Sequence, residues 1–394
     1  MSDIKDIVRA GRSLREAGAP FLLATVVNVR GSSYRRPGAR MLIADDRVVV
    51  GSVSGGCLEG ELVRRGWWHT RDGGPALLTF ESSGDDDNDS GDRQPHARTG
   101  CGGVVEILLE RVEPGAASDP LELLDAAIAE EATVEMLTVF RSRRPEIAVG
   151  ARRVLPPVGR QAASALPVSA WTVLLERARW SLTSESKSFA MVTLPDGGVE
   201  ALAERLRPPP HLFVFGSGLD AVPVVTLART LGWAVTVWDP RARFQTKARF
   251  VAADHIVAGD LEPVRARIAA CARPLAVIMA HDLEHDRQAL QLALSSSASY
   301  VGVLGPRRRT DRLLGALPGG GALTDEQRRR LHAPVGLQLG AETADEIALS
   351  IIAQAQAVLA GAAAGHLRDQ AQQPIHAVTA TTTERPAARL AVRR

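Results

Sequence analysis

The chain has 394 residues, 45% hydrophobic and 23% charged, with a formal net charge of +2. It is too long for one ordinary domain, apolar enough for packed cores, and too near neutrality for a general polyanion binder, so nucleic acid is not an expected partner. No uninterrupted apolar stretch reaches the ~18 residues of a membrane span, and Met1–Lys5 carries no apolar signal core, so no membrane association is expected. The three cysteines, Cys57, Cys101 and Cys271, are odd in number and far apart, which suits a reducing cytoplasm better than a disulfide framework.

In chain order, Ile4–Ala17 reads as an amphipathic helix and Phe21–Val29 as a β-rich run. Gly31-Ser32-Ser33 turns the chain, and Arg35-Arg36-Pro37-Gly38 makes a second, basic turn. Met41–Ile43 and Val48–Val50 flank Asp45-Asp46 as a hairpin. A helix is expected from about Leu58 to His69 and a strand over Ala76–Phe80. Glu81–Thr99 is a polar, acidic loop before a strand at Val104–Leu109. Leu121–Glu131 reads as helix and Thr133–Val199 as short strands. Pro208-Pro209-Pro210 is the clearest linker.

Beyond the prolines, strands and helices alternate. Strands are expected at His211–Phe215, Ala234–Trp238, His255–Val257, Leu275–Ala280, Tyr300–Leu304 and Pro334–Leu337, with helices at Val222–Leu231 and Asp286–Leu294. Thr343-Ala344-Asp345-Glu346 is a capping box for a closing helix. Such repetition with apolar strands predicts a parallel sheet covered on both faces. The fold class is therefore α/β: a mixed α+β N-terminal domain over 1–207 and a Rossmann-type, doubly wound domain over 208–363. The unpatterned tail 364–394 is expected to be disordered.

Phe215-Gly216-Ser217-Gly218-Leu219-Asp220-Ala221 lies between a strand and a helix and fits G-x-G-x-x-G/A. Asp239 ends the next strand, where a ribose-binding acid is expected. Asp220, however, puts a carboxylate where a pyrophosphate would sit, so NAD(P) is expected to bind weakly or not at all; Asp220 is also a candidate N-cap. At the carboxyl ends of the strands, Arg241, His281 and Arg307 offer guanidinium groups and a titratable imidazole to an anionic ligand. A strand cap at His281 and a solvated arginine face are the plainer alternatives.

Gly55-Gly56-Cys57-Leu58-Glu59 opens the predicted helix, and Cys101-Gly102-Gly103 precedes a strand. Glycine admits close approach of a ligand, and a helix N-terminus lends a cysteine thiolate character, while Glu59 and Glu61 oppose it. Cys57 and Cys101 are thus candidate ligand contacts, the alternative being small packed residues; Cys271, in an Ala/Arg helical stretch, reads as structural. A C-x-x-C pair is missing, which argues against zinc. Asp85–Gly91 fails the spacing of a calcium loop.

The segments Gly31-Ser32-Ser33, Arg36-Pro37-Gly38-Ala39-Arg40-Met41 and Gly51–Glu59 resemble the N-terminal signature of the XdhC/CoxI family. Gly100–Gly103, Tyr300–Gly305, His332–Leu337 and Gly340–Thr343 agree with it, so the resemblance runs from about Ile4 to Leu359; Gln338 departs from the usual aspartate. The resemblance implies an accessory factor of xanthine dehydrogenase-type molybdenum hydroxylases. Such a factor binds the molybdenum cofactor (molybdopterin) transiently, supports its sulfuration and inserts it into the apoenzyme, and is a chaperone rather than a turnover enzyme. Gly55, Gly56, Cys57, Glu59, Cys101, Gly102, Gly103, Gly216, Gly218, Asp239, Arg241, His281 and Arg307 are then the candidate cofactor-binding residues, with Cys57 the candidate molybdenum contact. The implied partners are the apo molybdoenzyme and a cysteine desulfurase; a homodimer is a further expectation. Two other readings stand beside it: an NAD(P)-dependent oxidoreductase, and a docking chaperone for the apoenzyme that never touches cofactor.

Overall fold

The computed structural model describes residues 2–81, 103–116, 119–129, 132–155, 168–182, 188–241 and 245–369. Cys101, Gly102, the acidic loop from 82 to 99 and the tail from 370 lie outside the described residues. Asp3–Ala129 and Val134–Leu206 form one compact unit, and residues 207–369 make up most of another. Among the described residues no helix is long and apolar enough to cross a membrane.

The first unit holds α1 (Ser2–Glu16), β1 (Phe21–Arg30), β2 (Arg40–Ala44), β3 (Arg47–Gly51), α2 (Glu59–His69), β4 (Ala76–Glu81) and β5 (Val104–Val112). It continues through α3 (Pro120–Ala129), β6 (Val134–Ser142), β7 (Arg152–Leu155), α4 (Val168–Ser181), β8 (Phe189–Thr193) and β9 (Val199–Leu206). Two antiparallel sheets result, ordered β3-β2-β1-β5-β4 and β7-β6-β9-β8. The β2–β3 turn at Asp45-Asp46 has φ of 50° and 54°, the left-handed geometry of a tight hairpin that aspartate tolerates. Helix α4 departs from the short strands expected there. Its residues mix Val, Leu and Trp with Arg and Glu, and only the burial of Trp171, Leu174 and Ala178 against the second sheet shows its apolar stripe.

The second unit holds β10 (His211–Phe215), α5 (Ala221–Thr230), β11 (Ala234–Asp239), α6 (Gln245–Arg249), β12 (His255–Ala258), α7 (Glu262–Ala270), β13 (Pro274–Ile278) and α8 (Leu283–Ser295). After these come β14 (Tyr300–Val303), α9 (Arg307–Gly315), α10 (Asp325–Arg330), β15 (Leu331–His332) and α11 (Ala344–Ala360). All its strands are parallel, in the order β12-β11-β10-β13-β14-β15, which is the Rossmann order. Alternate residues serve the two faces. Leu212, Val214, Val235 and Val277 pack under α5 and α11, while Phe213, Phe215, Trp238 and Ile278 pack under α7, α8 and α9. The last strand is Leu331–His332 rather than Pro334–Leu337, since only 331 and 332 pair with β14. Helix α8 starts at Leu283, ahead of the expected Asp286, because Asp282 caps it by accepting from the N–H groups of Glu284 and His285. The capping box of Thr343 and Glu346 is complete.

Candidate functional site

In the first unit the Gly55-Gly56-Cys57 turn stands out from a buried frame. Ser54 and Leu58 are buried, while Gly55, Gly56 and Cys57 between them are exposed. The frame is set by one carboxylate. Glu59 Oε1 accepts from Ser52 Oγ (2.9 Å), Ser54 N (2.8 Å) and Val53 N (3.2 Å), and Ser54 Oγ donates to Oε2. Ser54 Oγ in turn accepts from the N–H groups of Gly56 (3.1 Å) and Leu58 (3.0 Å). Burial alone raises the Glu59 carboxyl, but the bonds from Ser54 and Ser52 outweigh it and bring it down to about 2. Glu59 therefore holds the turn in shape, and Cys57, two residues ahead of α2, is carried on it.

The turn after β1 gathers the other motifs. A Cβ on Gly103 would collide with the Ser32 carbonyl oxygen, so the chain entering β5 passes hard against Gly31-Ser32, where only glycine fits. A Cβ on Gly55 would lie 3.5 Å from the Tyr34 ring, and that ring is 66% exposed. Gly56, at φ +111°, has open space where a side chain would be. Residues 31–34 thus touch both glycine-framed segments, and Tyr34 joins the candidate surface on contact alone, since nothing in its sequence neighbourhood singles it out.

In the second unit the switch point lies between β10 and β13, the two strands from which the sheet is wound in opposite directions. Gly216, at φ +141°, lets the loop lie on the backbone of Met279, whose carbonyl oxygen a Cβ there would strike. Asp220 occupies the N-cap position expected of it, but its carboxylate does not serve as the cap. It makes no side-chain capping bond, and its Oδ2 lies 2.7 Å from His281 Nε2 instead. Its Oδ1 occupies the space a Cβ of Gly218 would need, so the carboxylate lies over the glycine loop. His281 itself holds φ +61°, an uncommon conformation for a non-glycine residue. Arg249 Nη1 donates to the Ser217 carbonyl oxygen (2.7 Å) and fixes the loop from outside.

Asp239, fully buried, ends β11 and accepts from the Arg241 N–H (3.1 Å). Arg241 is exposed; after the His285 N–H and ring and the Glu284 N–H, its charge also helps hold the Asp282 carboxyl below the usual range. Arg307, exposed, opens α9 one strand further along, past β14. Gly216, Gly218, His281, Asp239 and Arg241 therefore share the carboxyl-end rim around β10, β11 and β13. Cys271, the C-cap of α7, is half-buried against the α7–α8 face of the sheet.

Two family profiles match the chain: one described as the XdhC and CoxI family over residues 14–81, the other as the XdhC Rossmann domain over 212–355. A protein of Bacillus subtilis, named as a probable subunit of xanthine dehydrogenase, is 26% identical over 87% of this chain and 94% of its own length. The molybdenum cofactor insertion chaperone PaoD of Escherichia coli is 24% identical, covering 90% of this chain and 89% of that one. A crystal structure described as a xanthine dehydrogenase from Bacillus halodurans matches with a TM-score of 0.68 at 27% identity, covering 95% of this chain and 98% of that one. With both halves matched and the signature turn in place, the chain belongs to the XdhC and CoxI family.

Proposed function

We propose that this protein is a maturation factor that binds the molybdenum cofactor, supports its sulfuration and passes it to the apo form of a xanthine dehydrogenase-type molybdenum hydroxylase. The observation that carries the reading is the exposed Cys57 on a turn whose shape is fixed from beneath by Glu59. A thiolate is a soft ligand suited to a metal–sulfur centre. Gly56 leaves bare backbone beside it, and the exposed Tyr34 ring, packed beside Gly55, offers a flat face to a pterin. In this reading the cofactor is cargo, and the sulfur donor is a cysteine desulfurase. The name of the E. coli relative supports the insertion step, and that of the B. subtilis relative supports the link to a xanthine dehydrogenase.

The oxidoreductase reading needs a tight dinucleotide site. The Asp220 carboxylate over the glycine loop disfavours it, because a phosphate entering there meets a like charge. Molybdopterin released from a purified molybdoenzyme, mixed with the protein and separated by gel filtration, tests the proposal. Metal and pterin should co-elute with the wild type and be lost from Cys57→Ala, whose circular dichroism should be unchanged. Equal retention by Cys57→Ala removes the thiol from the site, and no retention by the wild type leaves the docking chaperone.

A further inference from the structure

The two sheets of the first unit carry one pattern twice. Helix α1 leads into β1, β2, α2, β4 and β5, with β3 added at the edge; α3 leads into β6, β7, α4, β8 and β9. The sheet orders β2-β1-β5-β4 and β7-β6-β9-β8 are the same. The registers agree residue by residue. Thr25 faces Arg40 and Leu108 as Thr138 faces Arg152 and Leu202, and Leu23 faces Glu110 as Met136 faces Glu204. Each central strand is bulged at the matching place, Val26/Asn28 and Val139/Arg141. Even the sequence recurs, as Gly38-Ala39-Arg40 and Gly150-Ala151-Arg152.

The contacts between the copies are reciprocal. Arg40 of the first copy binds Glu204 of the second, with Nη1–Oε1 at 3.0 Å and Nη2–Oε2 at 2.6 Å. Arg152 of the second binds Glu110 of the first, with Nη1–Oε1 at 2.6 Å and Nη2 to Oε2. Gly38, at φ +92°, leaves room for Glu204, and Gly150, at φ +87°, leaves room for Glu110. Val27, Leu108, Phe140 and Leu202, two equivalent pairs, form one shared apolar cluster. When residue i of one half meets j of the other and j of the first meets i of the second, the interface is that of a twofold dimer.

We infer that the first unit is a duplicated module paired about an approximate internal twofold. From this it follows that the signature residues common to both copies, Gly38 and Arg40, hold the copies together, while ligand binding belongs to what, among the described residues, the first copy alone has. The second copy acts as an internal control. It has Gly-Ala-Arg, the buried threonine and the buried glutamate, but its β8–β9 connection is a tight turn over 194–198. That turn is closed by Leu194 N donating to the Val199 carbonyl (3.0 Å) and by Arg144 pairing with Asp196. Among its described residues the first copy has Gly103 against Ser32, Tyr34 against Gly55, and the Ser52–Glu59 frame with Cys57.

Arg40→Met and Arg152→Met test this, with Arg40→Lys and Arg152→Lys as milder variants should either fail to fold. Each methionine variant strands one buried carboxylate and should lower the unfolding midpoint by a similar amount, on the order of ten degrees. Arg40→Glu combined with Glu204→Arg should recover much of the loss, and Arg40→Glu with Glu110→Arg should not. The ligand arm alone rests on the function proposed above: at a temperature where all are folded, the Arg40 and Arg152 variants should retain released molybdopterin equally, while Tyr34→Ala and Cys57→Ala lose it. An Arg152 variant as stable as wild type, or an Arg40 variant that alone loses the pterin, overturns the inference. If no variant or wild type retains pterin, the function fails while the stability arm still decides the duplication.

Discussion

The Asp220 carboxylate and the His281 imidazole meet across the seam between β10 and β13, with Oδ2 2.7 Å from Nε2. Each comes from a loop at the carboxyl end of its strand, and the contact spans the point where a Rossmann sheet offers its crevice. The loop that would receive a pyrophosphate is thus already covered by an anion of the chain itself.

Removing that charge should open the crevice. Asp220→Asn keeps the size of the side chain and loses the repulsion, so NADH should bind roughly tenfold more tightly than to the wild type, the equivalent of about 1.4 kcal/mol. Isothermal titration reads it directly. Equal affinities would mean that the loop's shape, rather than its charge, keeps dinucleotides out.

Cys57 and Cys271 should differ in reactivity. Iodoacetamide added to the native protein, followed by peptide mapping, should label the exposed Cys57 well before the half-buried Cys271. Bound molybdopterin should protect Cys57 and leave the rate at Cys271 unchanged. Labelling in the opposite order would contradict the exposure of the turn.

Glu59→Gln replaces an acceptor-only group by one that turns an amide toward the donors of Ser52, Val53 and Ser54. A loss of about 1 kcal/mol is expected for this partly exposed cluster, with weaker pterin retention at unchanged secondary structure. The carboxyl is depressed, so its contribution is present above its ordinary value of 4.5 and is lost only as pH falls through about 2. Pterin retention at pH 4 should therefore show no loss traceable to Glu59.

His211 carries a pH dependence of its own. Its Nε2 lies 2.8 Å from Thr236 Oγ1 and its ring stacks on Phe213. Burial first, and then the charges of His255 and Arg267 against that of Asp254, lower it from 6.5 to about 4. The unfolded chain binds the proton first, so stability is full above pH 6.5 and declines as pH falls toward 4. Denaturant midpoints measured across that window should fall less steeply in His211→Phe than in wild type. Parallel slopes would assign the acid sensitivity to other groups.

Much of the second unit is legible in the sequence, because parallel strands buried on both faces read as apolar runs between helices, and Thr343 with Glu346 marks the last helix. The Asp220–His281 contact is not, since the two residues are 61 apart in the chain and only the sheet order brings them together. Glu59, by its place beside Cys57, reads as facing a ligand; its bonds run backward to Ser52 and Ser54, and the signal for that is the pair of serines just before the glycines. The duplication hides behind a single Gly-Ala-Arg echo, because the two copies keep register and buried charges rather than surface sequence.

One carboxylate fastens Ser52, Val53 and Ser54 together, and Ser54 fastens Gly56 and Leu58. A turn tied in this way has no loose end from which to peel. On the function proposed above, cargo leaving Cys57 would leave a turn that keeps its shape, so the rate of release should not follow any fraying of residues 52–58.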